Sequence, residues 1–297
     1  MFSGCFMKNL VFAGLVVAQI LDIGLACSAD SETEATKLET VELFPRIVAV
    51  SFHSASLNKR KRCVVVLPVD WQQIEPADRR TLVMLHGRGR HELSLIDDKT
   101  IRKQLLDSGL FVILPDGDDG WYVNSPVRKP DVYATYLEEV LAVISQEFQL
   151  PAKREQWAIA GWSMGGFGCV NFAERHPERF AAVSSIIGLL DFPRTGLPAG
   201  QSYKVPAERF GTDETVWEQF NPLRKAEKLK EMSVLIITAD EAFDRTMNEH
   251  FRDRLIKLNQ PQTWILLKGG HTFPVVKEAM PLVLAFTKKI LRKSQGE

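Results

Sequence analysis

The sequence predicts an α/β fold: a mostly parallel sheet of about eight strands, helices on both faces, and an antiparallel hairpin at the N-terminal side. Three observations carry this. From Leu82 onward, apolar runs of strand length alternate with amphipathic stretches of helix length, the order that builds parallel strands through crossovers. Runs such as "VMLH" and "VLIIT" are apolar with little interruption, as strands covered on both faces are. Ahead of them, two β-rich runs follow each other with no helix between, which pairs them antiparallel.

Taken in order, the strands are expected at Arg46–Phe52, Arg62–Val69, Leu82–His86, Leu110–Leu114, Trp157–Gly161, Ala181–Ile187, Val234–Thr238 and Thr263–Leu267. Each is a short β-branched or aliphatic run bounded by turn residues. Helices are expected at Leu95–Asp107, Tyr133–Phe148, Met164–Arg175, Arg245–Leu258 and Val275–Leu291, where apolar residues recur at helical spacing. "NKRKR" at 58–62 reads as a solvated hairpin tip. Residues 190–231 join two strands through prolines, glycines and aromatics. A connection that long usually serves a function, and it is expected to cross the sheet top.

The N-terminus departs from globular composition. Lys8, an apolar run from Leu10 to Ala18, and small residues near 28–29 give the order of a secretory signal peptide, cleaved after Ser28 or Ala29. Cys27, closing "GLAC", allows a lipoprotein leader instead. Asp22 within the apolar stretch argues against a permanent membrane span. The expected organisation is a leader over 1–29, a linker over 30–42 and one domain over 43–297, in an exported protein.

Lysine plus arginine and aspartate plus glutamate number 37 each, so no net field draws the chain to nucleic acid. Of the four cysteines, Cys5 and Cys27 lie in the leader; Cys63 and Cys169 are read as small buried apolar residues. No zinc-ligand motif or phosphate loop appears, so no metal or organic cofactor is expected.

The most informative stretch is "WAIAGWSMGGFG", which runs from a strand through a glycine-rich turn into a helix. "GWSMG" at 161–165 matches the Gly-x-Ser-x-Gly elbow of α/β-hydrolases in the strand–turn–helix context that elbow requires. Glycines 161 and 165 leave room for a strained turn that lifts Ser163 above the sheet. A serine hydroxyl needs a base, and the fold's chain order is serine, acid, histidine. His271 follows a strand and two glycines in "LLKGGHTF". His53 and His91 precede the serine, His176 closes the elbow helix and His250 is mid-helix, so structural or surface roles are expected for them. For the acid, Asp240 is preferred because it comes first after its strand in "ITADEAFD"; Asp244 is the rival and Glu241 a third choice.

The residues also carry a family likeness. "LHGRGRHE" at 85–92, "FVILPDGDDGWYVNS" at 111–125, "AIAGWSMGGFGCVNFAERHPERFAAVSS" at 158–185 and "KGGHTFPVV" at 268–276 resemble the esterase family of α/β-hydrolases. That family includes esterase D, S-formylglutathione hydrolases, feruloyl and acetyl esterase domains, and the antigen 85 acyltransferases. The resemblance implies Ser163 as nucleophile, His271 as base, an acid in the 240–244 loop, and the amides of Met164 and Arg88 as an oxyanion hole. His86 would then hold the loop. Arg88 and Arg90 stand where small or apolar residues are common, and Trp162 is a bulky neighbour for the serine. Trp162, Trp121, Tyr122 and Trp217 are candidates for lining a substrate pocket.

The function expected from these features is a serine carboxylesterase acting on a small-molecule or carbohydrate-linked ester. An acyltransferase on the same machinery, or a catalytically silent binding domain, are the alternatives.

Overall fold

The computed structural model describes residues 38–293; the expected leader lies outside them. The described residues form one nine-stranded sheet in the order β1-β2-β3-β5-β4-β6-β7-β8-β9. The strands are β1 (Glu39–Phe44), β2 (Ile47–Ser54), β3 (Lys59–Val66), β4 (Thr81–Leu85), β5 (Phe111–Pro115), β6 (Trp157–Trp162), β7 (Ala182–Ile186), β8 (Ser233–Ala239) and β9 (Gln262–Leu267). The helices are α1 (Lys99–Leu106), α2 (Tyr133–Glu147), α3 (Met164–Arg175), the short α4 (Ala207–Phe210) and α5 (Glu214–Trp217), α6 (Arg245–Lys257) and α7 (Phe273–Lys293).

From β4 to β9 the pairing is parallel; β1–β2, β2–β3 and β3–β5 are antiparallel. Every residue of β4, β5, β6 and β7 is buried, which explains why these strands are apolar apart from Thr81, Ser184 and Ser185. Two apolar layers result, one on each sheet face. Ile159, Val183 and Ile236 pack with α2 and α3 residues such as Leu137 and Phe172. Ala158, Ala160 and Ile237 pack with α1 and α7 residues such as Ile101 and Val276. Cys63 and Cys169 are buried and unpaired, as their apolar neighbours suggested.

Three expectations are corrected. Residues 39–42 belong to edge strand β1 rather than to a linker; the strand's largely exposed side chains gave no apolar signal. The first helix begins at Lys99 rather than Leu95, because the Asp98 carboxylate caps it by accepting from the N–H groups of Thr100 and Ile101. The "NKRKR" cluster is mostly strand, and its charges are paired. Lys59 binds Asp118, Arg60 binds Glu39, Arg62 binds Glu92, and the nearly buried Lys61 reaches Asp116 and Asp118. Residues 190–231 contain α4, α5 and two 3₁₀ turns, and Tyr203 from this segment reaches the sheet's C-terminal edge.

In open parallel sheets, crevices form beyond the carboxyl ends of the strands. β4, β6, β8 and β9 end in register there: Leu85 faces Gly161, and Ala239 faces Leu267.

Candidate active site

Ser163 is the single residue between β6 and α3, with φ 54° and ψ −119°. That backbone conformation is strained for a residue with a Cβ, and its neighbours enforce it. Its N–H donates to the Ile186 carbonyl of β7 at 3.0 Å, and its carbonyl accepts from Phe167 N–H at 3.0 Å. The flanking glycines are required by contact. A Cβ on Gly161 would sit 2.2 Å from the Gly165 carbonyl oxygen, and one on Gly165 would sit 2.2 Å from that of Leu85. The Ser163 hydroxyl does not cap α3, so it can turn toward the cavity. Met164 opens α3, and its N–H precedes the helical hydrogen-bond ladder.

Ser163 Oγ lies 2.8 Å from His271 Nε2, across 108 positions of chain. His271 Nδ1 lies 2.6 Å from Asp244 Oδ1. Asp244 is fully buried. Its other oxygen accepts from Thr238 Oγ1 and Asn248 Nδ2, both at 2.8 Å. Asn248 also donates to the Gly188 carbonyl at 2.7 Å, tying α6 to the loop after β7. The carboxylate can only accept from Nδ1–H, which leaves the Nε2 lone pair for the serine proton. Phe243 stacks on the imidazole, with ring centroids 4.4 Å apart.

Of the two candidate acids, the structure brings Asp244, the alternative, to the imidazole and leaves the preferred Asp240 away from it. Sheet-like pairing continues past β8, with Asp240 N–H donating to Leu267 and Glu241 N–H to Gly269. This turns the Asp240 side chain to the surface, where it accepts from Lys268 Nζ at 2.6 Å and Gly269 N–H at 2.9 Å. Those two bonds, Lys268 first, hold its carboxyl below the usual range. The chain then makes a turn, and four residues later Asp244 enters α6 beneath the imidazole.

The loop after β4 closes the other side. A Cβ on Gly87 would lie 3.4 Å from Ser163 Cβ and 2.7 Å from Trp162 Nε1, so this backbone runs directly beside the serine. His86 is not a second base. Its Nε2 accepts from Gly117 N–H at 2.8 Å and its Nδ1 donates to the Gly87 carbonyl at 2.8 Å, which uses both nitrogens in a neutral ring. Gly87, Arg88, Arg90, Trp162, Ser163, Ile187, His271, Thr272, Phe273 and Val276 enclose a cavity of about 200 Å³. A larger hollow of about 680 Å³ beside Arg154 and Glu227 shares no residue with it.

Of the four expected pocket aromatics, Trp162 alone lines this cavity. Trp121 is buried among Phe167, Phe192, Tyr203 and Phe210. Tyr122 fills the space left by Gly117 and Gly168, and its hydroxyl accepts from His86 N–H. Trp217 is buried and donates to the Gly211 carbonyl. These three are packing residues. Sequence reasoning passed over Thr238, Asn248 and Phe243; only the Asp244–Asn248 spacing, one helical turn, offered a signal.

Comparison with known proteins shows the family. The model of the Esterase family, described as "Putative esterase", matches residues 54–285. Esterase Rv1288 of Mycobacterium tuberculosis is 28% identical over 271 residues, covering 77% of this chain and 56% of its own length. An acetyl esterase of Caldicellulosiruptor saccharolyticus is 24% identical over 151 residues, covering 48% of this chain and 56% of its own. The chain thus spans about half the length of these relatives. Among solved structures, the fluorophosphonate-binding serine hydrolase FphF of Staphylococcus aureus is similar, with TM-score 0.70 and 23% identity over 81% of this chain and 97% of that one. At that identity the likeness is one of fold, which is the α/β-hydrolase fold.

Proposed function

The chain belongs to the Esterase family, and from that premise we propose that it hydrolyses carboxylic esters through an acyl-enzyme on Ser163. The observation that carries the proposal is the continuous hydrogen-bonded line from Ser163 Oγ through His271 to Asp244, at 2.8 and 2.6 Å.

In the first half-reaction Ser163 Oγ attacks the acyl carbon while its proton passes to His271 Nε2. The carbonyl oxygen gains negative charge and accepts hydrogen bonds from the N–H groups of Met164 and Arg88. When the tetrahedral intermediate collapses, Nε2 gives its proton to the departing alcohol. Water then enters, loses a proton to Nε2 and attacks the acyl-enzyme; the acid departs and Ser163 regains its proton. Throughout, Asp244 fixes the imidazole tautomer and stabilises the transient imidazolium. Its two further donors hold it in one orientation. The reaction uses this chain's own groups and water.

Replacing Ser163 by alanine tests the proposal. Turnover of p-nitrophenyl acetate should fall by about 10⁶ in kcat, with circular dichroism and the unfolding midpoint preserved. A variant that turns over at the wild-type rate would remove Ser163 from the reaction.

A further inference from the structure

The cavity wall is chemically one-sided. It carries two arginines, Arg88 and Arg90, and no carboxylate among the described residues. Both side chains are exposed, so they give the solvent-facing part of the lining a positive charge that an anionic ligand would meet.

The two arginines are held differently. Arg88 is engaged: Nη1 donates to the Tyr203 hydroxyl at 2.8 Å, and Nε lies 3.7 Å from Asp119. Asp119 is itself occupied by Gly89 N–H at 2.7 Å. Arg90 has no ion pair among the described residues. Its guanidinium sits over the Phe273 ring, 5.5 Å from the centroid. Its backbone is fixed by Arg90 N–H donating to the Gly87 carbonyl at 3.2 Å, the turn that passes beside Ser163. An aromatic platform limits where the guanidinium can go, and a planar fork of N–H groups suits a carboxylate bidentately.

We infer that Arg90 is a specificity-determining residue that selects esters bearing an anionic group, a carboxylate, close to the scissile bond. This deepens the esterase reading and rests on it. Arg88, tied to the excursion through Tyr203, contributes charge of the same sign.

The test compares charged and neutral partners matched in carbon count or ring framework. On the acyl side the pair is mono-p-nitrophenyl adipate and p-nitrophenyl hexanoate; on the alcohol side it is m-acetoxybenzoate and m-acetoxybenzamide. The quantity read is the kcat/KM ratio, charged over neutral, in wild type and in Arg90→Gln. The ratio should fall about tenfold or more for one of the pairs, the size of a charge-assisted hydrogen bond. The pair affected tells which side of the ester carries the anion. Arg90→Lys should recover part of the ratio, and raised salt should erode it in wild type. Identical ratios in wild type and Arg90→Gln for both pairs would overturn the inference. Calorimetric binding of monomethyl adipate to Ser163→Ala, with and without Arg90→Gln, separates this outcome from failure of the esterase reading. If no ester is turned over, the function proposal fails. Binding that depends on Arg90 would still uphold the anion site, and binding indifferent to Arg90, or none, would overturn it.

Discussion

Two aspartates stand at the carboxyl ends of parallel strands, Asp116 after β5 and Asp244 after β8, and they do different work. Asp116 faces Lys61 Nζ at 2.6 Å, a side chain 3% exposed that also reaches Asp118 at 3.0 Å and lies over the Tyr136 ring. Asp244 faces His271 at 2.6 Å, and that imidazole turns its second nitrogen into a cavity. A lysine ammonium has only protons to donate, so the Asp116 cluster ends in itself. An imidazole can take a proton on one side while held on the other, so the Asp244 cluster is built to pass one on. A paired carboxylate at a strand end is thus no sign of chemistry by itself; its partner decides.

The comparison can be broken by mutation. The largest effect is expected at Asp244: Asp244→Asn should lower kcat by about 10⁴, because the amide can leave the imidazole in the wrong tautomer, with KM nearly unchanged. Initial rates on p-nitrophenyl acetate measure this, and a loss under tenfold would mean that Asp244 is merely structural.

Lys61→Met should do the opposite, costing at most about 3 kcal/mol of stability, the low end for a broken buried pair, since Asp116 keeps some contact with water. Turnover of the folded protein should stay within about twofold, read from urea unfolding and rates on one preparation. A pH series sharpens this further. Burial pushes the Asp116 carboxyl up, but its hydrogen bonds and Lys61 outweigh burial and hold it well below the usual range. A carboxyl lowered on folding stabilises the native state above its unfolded value of about 4 and loses that contribution as pH falls toward the folded value. The stability gap between wild type and Lys61→Met should therefore be full at pH 7 and shrink below about pH 4. A gap independent of pH would mean that packing, rather than charge, makes the difference.

The smallest effect is expected at Asp240. Its partner Lys268 is 95% exposed, and exposed pairs contribute little. Asp240→Asn should change turnover less than about threefold. A loss comparable to that of Asp244→Asn would return the acid to position 240.

These contrasts also explain what the sequence made legible. The elbow was readable because sterics leave few options: the crowding at Gly161 and Gly165 excludes other residues, and so writes itself into the sequence. The inner parallel strands were readable because burial on both faces makes them largely apolar. The register of the acid was not. Asp240 and Asp244 follow the same strand, and the choice depends on how far β8–β9 pairing continues, which the opposing Leu267 and Gly269 carbonyls determine. Trp121 and Tyr122 looked like pocket residues in a glycine-rich loop, yet Gly117 and Gly168 make space for packing Tyr122 rather than for substrate. Lys61 looked solvated because its acidic partners lie 55 and 57 positions away in sequence. Local pattern reports local constraint, whereas pairing across the sheet remains invisible to it.

The central claim, that Ser163 is activated through His271 by Asp244, is tested most directly by covalent labelling with a fluorophosphonate ester followed by peptide mass mapping. The account predicts one label per chain on Ser163, formed much more slowly in Asp244→Asn and at the wild-type rate in Asp240→Asn. A label on any other residue, or a rate on Ser163 indifferent to Asp244, would contradict it.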